Sequence, residues 1–173
     1  MTERQLRFAS RTMAFVWFAA VVVIALQAAA RETNVFLTFR ASWYNLAEGR
    51  DLYQLNPSHY DYYKYSPTFA LLFAPFAALP LAAGLIAWTA VNAGALYWSL
   101  GKIFSGEQAL AARGIVFIDA VGSMQNAQSN VLTAGLMILA FVELERRREL
   151  GAAATVTLAT LIKLFPIAAA AFA

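Results

Sequence analysis

MAFVWFAAVVVIALQAAA, residues 13–30, carries one polar side chain, Gln27, in eighteen positions. A run of that length is close to the shortest helix that crosses a hydrocarbon core of roughly 30 Å. Arg4, Arg7 and Arg11 precede it. Basic flanks stay on the cytoplasmic side, so residues 1–12 are expected inside the cell. A cleaved signal peptide also has a basic start and a small-residue end such as ALQAAA. The apolar run is longer than a signal-peptide core, however, and more apolar segments follow, which favours a retained helix.

Composition extends this reading to the whole chain. Hydrophobic residues make up 61% and charged residues 13%, and the mean hydropathy is +0.58, far from an average soluble domain. The expected class is all-α: a multi-span transmembrane helical protein of the cell (inner) membrane. The pI of about 9.4 does not point to nucleic acid. The basic excess sits mostly in two clusters, Arg4/Arg7/Arg11 and Arg146/Arg147/Arg148, the pattern of charges that orient a membrane protein. With no cysteine and one histidine, His59, neither a disulfide nor a Cys- or His-based metal site is expected. No cofactor is expected either.

Residues 31–65 are too polar to span. Within them Phe36, Phe39, Trp43 and Leu46 recur at three- and four-residue spacing, with Thr38, Arg40, Ser42 and Asn45 elsewhere around the turn. This predicts a short amphipathic helix lying in the interface, ended by Gly49 and followed by a loop, RDLYQLNPSH. Four apolar segments follow, Pro67–Leu79, Ala82–Leu100, Gly114–Val121 and Val131–Val142, then the charged ELERRREL and a last apolar run. The resulting division has a helix at 13–30, an extracytoplasmic loop at 31–65, a short spanning or re-entrant segment at 66–80, and a helix at 82–104. Broken or paired segments occupy 112–143, a cytoplasmic loop 144–150, and a helix 151–173. That last run stops without a polar flank and reads as part of a longer membrane protein.

Charge parity constrains the path. If both arginine clusters are cytoplasmic, an even number of crossings separates them. Five apolar segments lie between them, so one should not cross: Pro67–Leu79 or Gly114–Val121, the two short ones, either of which could be re-entrant. Read back from Arg146, the cluster Gln125, Asn126, Gln128, Asn130 lies towards the outer leaflet. Read forward from Gly151, Lys163 lies about 18 Å along its helix, in the outer half. The 31–65 loop is on that side too.

Ionised groups at membrane depth cost several kcal/mol, so those that persist mark sites or partners. Lys163 in LIKLFP is one, and it suits an anionic ligand such as a phosphate; the alternative is a cation snorkelling to the interface. Asp119 in GIVFIDAV is another. Asp119, Asn126 and Asn130, spaced by seven and four, would share one stripe of a continuous helix, unless Gly122 and Ser123 break it. The amides alone serve equally well as interhelical glue. Tyr53, Tyr60, Tyr62, Tyr63 and Tyr65 fit an interfacial aromatic belt, although some can stack on a sugar or prenyl chain.

Taken together, NVFLTFRASWYNLAEGRDLYQ, YDYYKYSPTFALLFAPFAALP, SMQNAQSN and LIKLFP resemble glycosyltransferase family 87, polyprenyl-phosphate-mannose-dependent mannosyltransferases and their relatives with a GT-C fold. The resemblance implies a membrane enzyme that moves a hexose, most often mannose, from a lipid-linked sugar donor to a glycan or glycolipid acceptor on the extracytoplasmic side. It implies an acid in the first outer loop as general base, a cation at the departing phosphate and amides on sugar hydroxyls. Members commonly carry an aspartate where this chain has Asn34. An amide cannot act as the base, so Asn34 is left a binding role and the candidate acids are Asp51, Asp119 and, more weakly, Glu32. Asp51 belongs to the DLY element; Asp119 is the deeper acid, where loss of water would strengthen it as a base. The implied binding residues are Asn34, Arg40, Tyr53, Tyr65, Gln125, Asn126, Gln128, Asn130 and Lys163. A transporter or flippase of a lipid-linked or anionic solute, or a non-catalytic membrane subunit, would use the same buried polar groups.

Overall fold

The computed structural model describes residues 1–31, 34–55 and 61–172. Among these, all regular structure is helical: α1 (Glu3–Ala30), α2 (Asn34–Ala47), α3 (Pro67–Leu72), α4 (Ala74–Ala77), α5 (Leu81–Ile103), α6 (Gly106–Gln125), α7 (Asn130–Glu145), α8 (Glu149–Ile162) and a 3₁₀ helix (Phe165–Phe172). Helices α1 and α5 are long and apolar enough to cross a membrane. Helix α1 extends beyond its apolar run because Thr2 and Gln5 form a reciprocal capping box that starts it in the polar segment.

Side-chain contacts fix the helix directions. Trp17 meets Phe117 at 5.4 Å and Met13 lies beside Gly114, while the Met1 amino group pairs with Glu107; α1 and α6 are therefore parallel. Trp88 on α5 reaches Ala127, Asn92 reaches Leu132, and Ala95 abuts Gly135, so α5 and α7 are parallel too. Helix α8 returns antiparallel to α7, with Gly151 against Glu143 and Lys163 against Asn130. One end of the bundle thus gathers both arginine clusters. The other gathers α2 to α4, the 126–129 turn and Lys163.

The core at this second end is aromatic. Phe39 packs edge-on against Phe69 at 5.0 Å and Phe73 at 5.3 Å, and Trp88 receives Phe73 at 5.1 Å and Phe76 at 5.3 Å. Such geometry contributes beyond the area it buries. It clamps α2, α3 and α4 over the start of α5.

Several expectations change. Helix α2 forms, but it does not lie on a surface with its polar side free. Phe36 and Phe39 are buried, and so are Thr38 and Ser42, the Ser42 hydroxyl being satisfied within the helix by the Phe39 carbonyl at 2.7 Å. Gly114–Val121 is not a short segment. It belongs to the unbroken α6, about 30 Å long at 1.5 Å per residue, and Gly122 and Ser123 do not interrupt it. The segment after Ser66 is the broken one: it forms two short helices, with Pro75 in the first turn of the second. Residues 151–173 are not one helix. Pro166 lacks an N–H, and its ring would meet the carbonyl of Ile162, so α8 stops there and Lys163 is extended (φ −141°, ψ 139°).

Candidate functional site

The site is best built from the YSP sequence. Ser66 caps α3: its Oγ accepts from the Phe69 N–H at 3.1 Å, and Pro67 takes the first helical position, where a missing donor costs nothing. The same hydroxyl donates to the Leu161 carbonyl at the end of α8. The Tyr63 hydroxyl donates to the Ser66 carbonyl at 2.7 Å. One short motif therefore joins the first loop to the last helix.

Beside this junction lies a cavity of about 440 Å³ lined by Lys64, Tyr65, Ser66, Thr160, Leu161, Ile162, Lys163, Leu164 and Phe165. Because the chain breaks after Ile162, Lys163 leaves the helix and lines this cavity. Its Nζ donates to Asn130 Oδ1, and Asn130 Nδ2 donates to Gln128 Oε1 at 2.7 Å. Among the described residues Lys163 meets no carboxylate within ion-pair distance. Lys64 does: it pairs with Asp61 at 2.7 Å. That hydrogen bond holds the Asp61 carboxyl below its ordinary value, and in return raises Lys64. The cavity wall carries one compensated and one uncompensated cation. Thr160 adds a buried hydroxyl oxygen without a hydrogen-bond partner among the described residues.

The aromatic side of the site is also fixed by its surroundings. Burial raises the Tyr63 and Tyr65 phenols, and neighbouring Ser42 and Ser129 hydroxyls partly offset this. Both stay neutral donors through the physiological range. Tyr63 is 4% exposed and belongs to the core, not to an interfacial belt. Tyr53 lies over it with ring centres 6.0 Å apart and donates to the Tyr65 carbonyl at 3.3 Å. Tyr60 lies outside the described residues.

The remaining candidates divide. Asp51 closes a turn by accepting the Tyr53 N–H at 2.9 Å; it is exposed and does not itself line the cavity, which it adjoins by way of Tyr53. Arg40 does not reach the cavity. It donates to the Ala77 carbonyl at 3.1 Å, as does Tyr44, and so fastens the end of α4. Asp119 does not face the lysine cavity. It is exposed on the outer face of α6 beside Ile115 and Ile118, which are 75% and 77% exposed. Nor do Asp119, Asn126 and Asn130 form one stripe, since the chain reverses between α6 and α7. Asn126 turns back to the Gly122 carbonyl at 3.0 Å, Gln125 is exposed, and only Gln128 and Asn130 join Lys163. Asn34 opens α2; its side chain, like all of Glu32, lies outside what is described.

Two contributors escaped the sequence reading. Asn92, 1% exposed, accepts from the Leu132 N–H at 3.1 Å and donates to the Trp88 carbonyl at 2.9 Å. It thereby satisfies one of the orphan donors that open α7 and sets Asn130's position. Its signal was a lone amide in an apolar run, the same signal that marked Lys163. The Asp61–Lys64 pair was signalled only by its three-residue spacing.

Among the described residues no group of three metal-ligating side chains is present. In comparisons with known proteins, residues 63–173 match the family model described as glycosyltransferase family 87. No curated protein and no solved structure matches the chain.

Proposed function

The chain belongs to glycosyltransferase family 87, and on that premise we propose that it serves transfer of a hexose, mannose by the resemblance, from a polyprenyl-phosphate donor to a cell-envelope acceptor. The observation that carries this reading is Lys163: a cation that meets no carboxylate among the described residues, at a helix break, on the wall of a cavity shared with Tyr65, Ser66 and Thr160. A partly buried cation of this kind is best satisfied by an anion, and the anion released in this chemistry is a phosphate. Lys163 neutralises it as the glycosidic bond to the phosphate breaks. Asn130 and Gln128 orient sugar hydroxyls, and Tyr65 offers an aromatic face. Asp51 takes the proton of the acceptor hydroxyl as that oxygen attacks the anomeric carbon; Asp61 is already committed to Lys64, and Asp119 faces away.

The arginine clusters, gathered at one end of the bundle, support a cytoplasmic assignment for that end and an extracytoplasmic one for the cavity. On this topology α1, α5, α6 and α7 cross between the clusters and the α3–α4 segment does not. The even count that parity demands is met.

The test is transfer from radiolabelled polyprenyl-phosphate mannose and glucose by the full-length protein. Lys163→Gln should lower transfer by roughly ten- to a hundredfold, the worth of a charge-assisted hydrogen bond, and weaken donor binding in parallel. Asp51→Asn should lower transfer while donor binding persists. Normal transfer in both variants would remove these residues from the reaction. Donor movement across vesicles without transfer would favour the transport reading instead.

A further inference from the structure

At the arginine-bearing end, opposite the cavity just described, lies a second hollow of about 480 Å³. Its lining includes Arg7, Ser10, Arg11, Gly101, Ser105 and Arg113, contributed by α1, the end of α5 and the start of α6. The sequence reading absorbed Arg7 and Arg11 as orienting charges and gave Arg113 no role.

Arg113 is the informative member. It is partly buried on α6, its Nε donates to the Tyr97 carbonyl at 3.2 Å, and its guanidinium lies over the Tyr97 ring at 3.9 Å. The position is tightly determined: a Cβ on Gly101 would come within 2.4 Å of Nη2. A guanidinium stacked and tethered in this way has lost most of its rotamer freedom in advance. Neither Arg113 nor Arg11 has a carboxylate within ion-pair distance among the described residues. Arg7 touches Glu3 at 3.2 Å in a solvent-exposed pair, which screening leaves weak. The acid nearest in sequence to the hollow's wall, Glu107, is engaged by the Met1 amino group. Ser105 precedes α6 without capping it.

We propose that this hollow is a binding site for a phosphate group, held by Arg113, Arg11 and Arg7 at the end of the bundle remote from the lysine cavity. Three guanidiniums, one of them immobilised, match phosphate oxygens by paired N–H bonds. Their place beside a bilayer-length helix makes the headgroup of an anionic phospholipid one source of that phosphate, and a soluble phosphate compound the other. The proposal is independent of the transfer reaction, since it concerns the opposite end of the molecule and neither Lys163 nor Asp51.

The experiment measures thermal unfolding of the purified full chain in an uncharged detergent. The additions are phosphatidylglycerol, phosphatidylcholine, or inorganic phosphate against chloride at equal ionic strength. Phosphatidylglycerol should raise the transition by roughly 5 °C over phosphatidylcholine at saturation. Arg113→Gln and Gly101→Ala, each compared with its own baseline, should abolish the increment. Arg11→Gln, on an exposed position that does not endanger folding, should reduce it, and Arg4→Gln, outside the hollow, should leave it intact. An increment with the lipid alone assigns the headgroup; one with inorganic phosphate as well assigns a free phosphate group. No increment from either, or an increment that survives Arg113→Gln and Gly101→Ala, overturns the site.

Discussion

At the scale of single residues, three helix ends in this chain share one hydrogen-bond pattern. After α2, Arg50 N–H reaches Asn45 and Gly49 N–H reaches Leu46. After α6, Gln128 reaches Ser123 and Ala127 reaches Met124; after α7, Arg148 reaches Glu143 and Arg147 reaches Leu144. Each is a Schellman turn whose pivot must be left-handed. Glycine supplies that pivot at position 49 (φ 68°), but Ala127 (φ 51°) and Arg147 (φ 57°) supply the others, where a Cβ crowds the following carbonyl. Arg147 is exposed, so nothing packs against its side chain strongly enough to require it. Arg147→Gly should therefore raise stability by about 0.5–1 kcal/mol, seen as a higher unfolding midpoint in detergent. Unchanged or lower stability would mean that the arginine side chain contributes more than its backbone strain costs. Ala127 differs, being buried under Trp88, and there the methyl has its own packing to lose.

Among the elements, Trp88 couples the aromatic cap to the polar turn. Its ring takes Phe73 and Phe76, and its Nε1 donates to the Ala127 carbonyl at 2.8 Å. Trp88→Phe keeps most of the ring contact but leaves that carbonyl unsatisfied, which should cost about 1–3 kcal/mol. It should also weaken donor binding, because Gln128 and Asn130 follow directly from the turn; donor titration beside a denaturation curve separates the two effects. How far such couplings could be read in advance depends on their range. Apolar length announced α1 and α5, and the spacing of Phe36, Phe39, Trp43 and Leu46 announced α2, since both signals are local. The end of α8 was local as well, because Pro166 forbids a helix through Ile162, yet the apolar composition of residues 151–173 outweighed it. The continuity of α6 was hidden because its apolar run, Gly114–Val121, is short and Gly122 and Ser123 read as a break; Arg113 before that run is satisfied by Tyr97 on another helix, and Asp119 within it faces outward. Convergence of Lys163 with Asn130 was expected on a common side of the membrane. Their direct hydrogen bond depends on α7–α8 packing and was not.

For the whole molecule, the absence of cysteine in the sequence makes topology directly measurable. Single cysteines introduced as Arg4→Cys and Glu145→Cys should react with a membrane-impermeant maleimide only after the cytoplasmic face is opened. Asp61→Cys and Asp51→Cys should react in intact cells. Labelling of positions 145 and 61 from the same face would end the four-crossing arrangement and, with it, the extracytoplasmic placement of the lysine cavity. That cavity has a further property, which follows from the bond between the Ser66 hydroxyl and the Leu161 carbonyl, 95 residues apart. The ribosome delivers the YSP motif long before it delivers α8. Throughout synthesis of α5, α6 and α7 the tyrosine loop has no opposite wall. A nascent chain halted before Leu161 would hold most of the bundle but only one side of the cavity. On the proposed function, the donor would therefore meet a complete pocket only after α8 has docked.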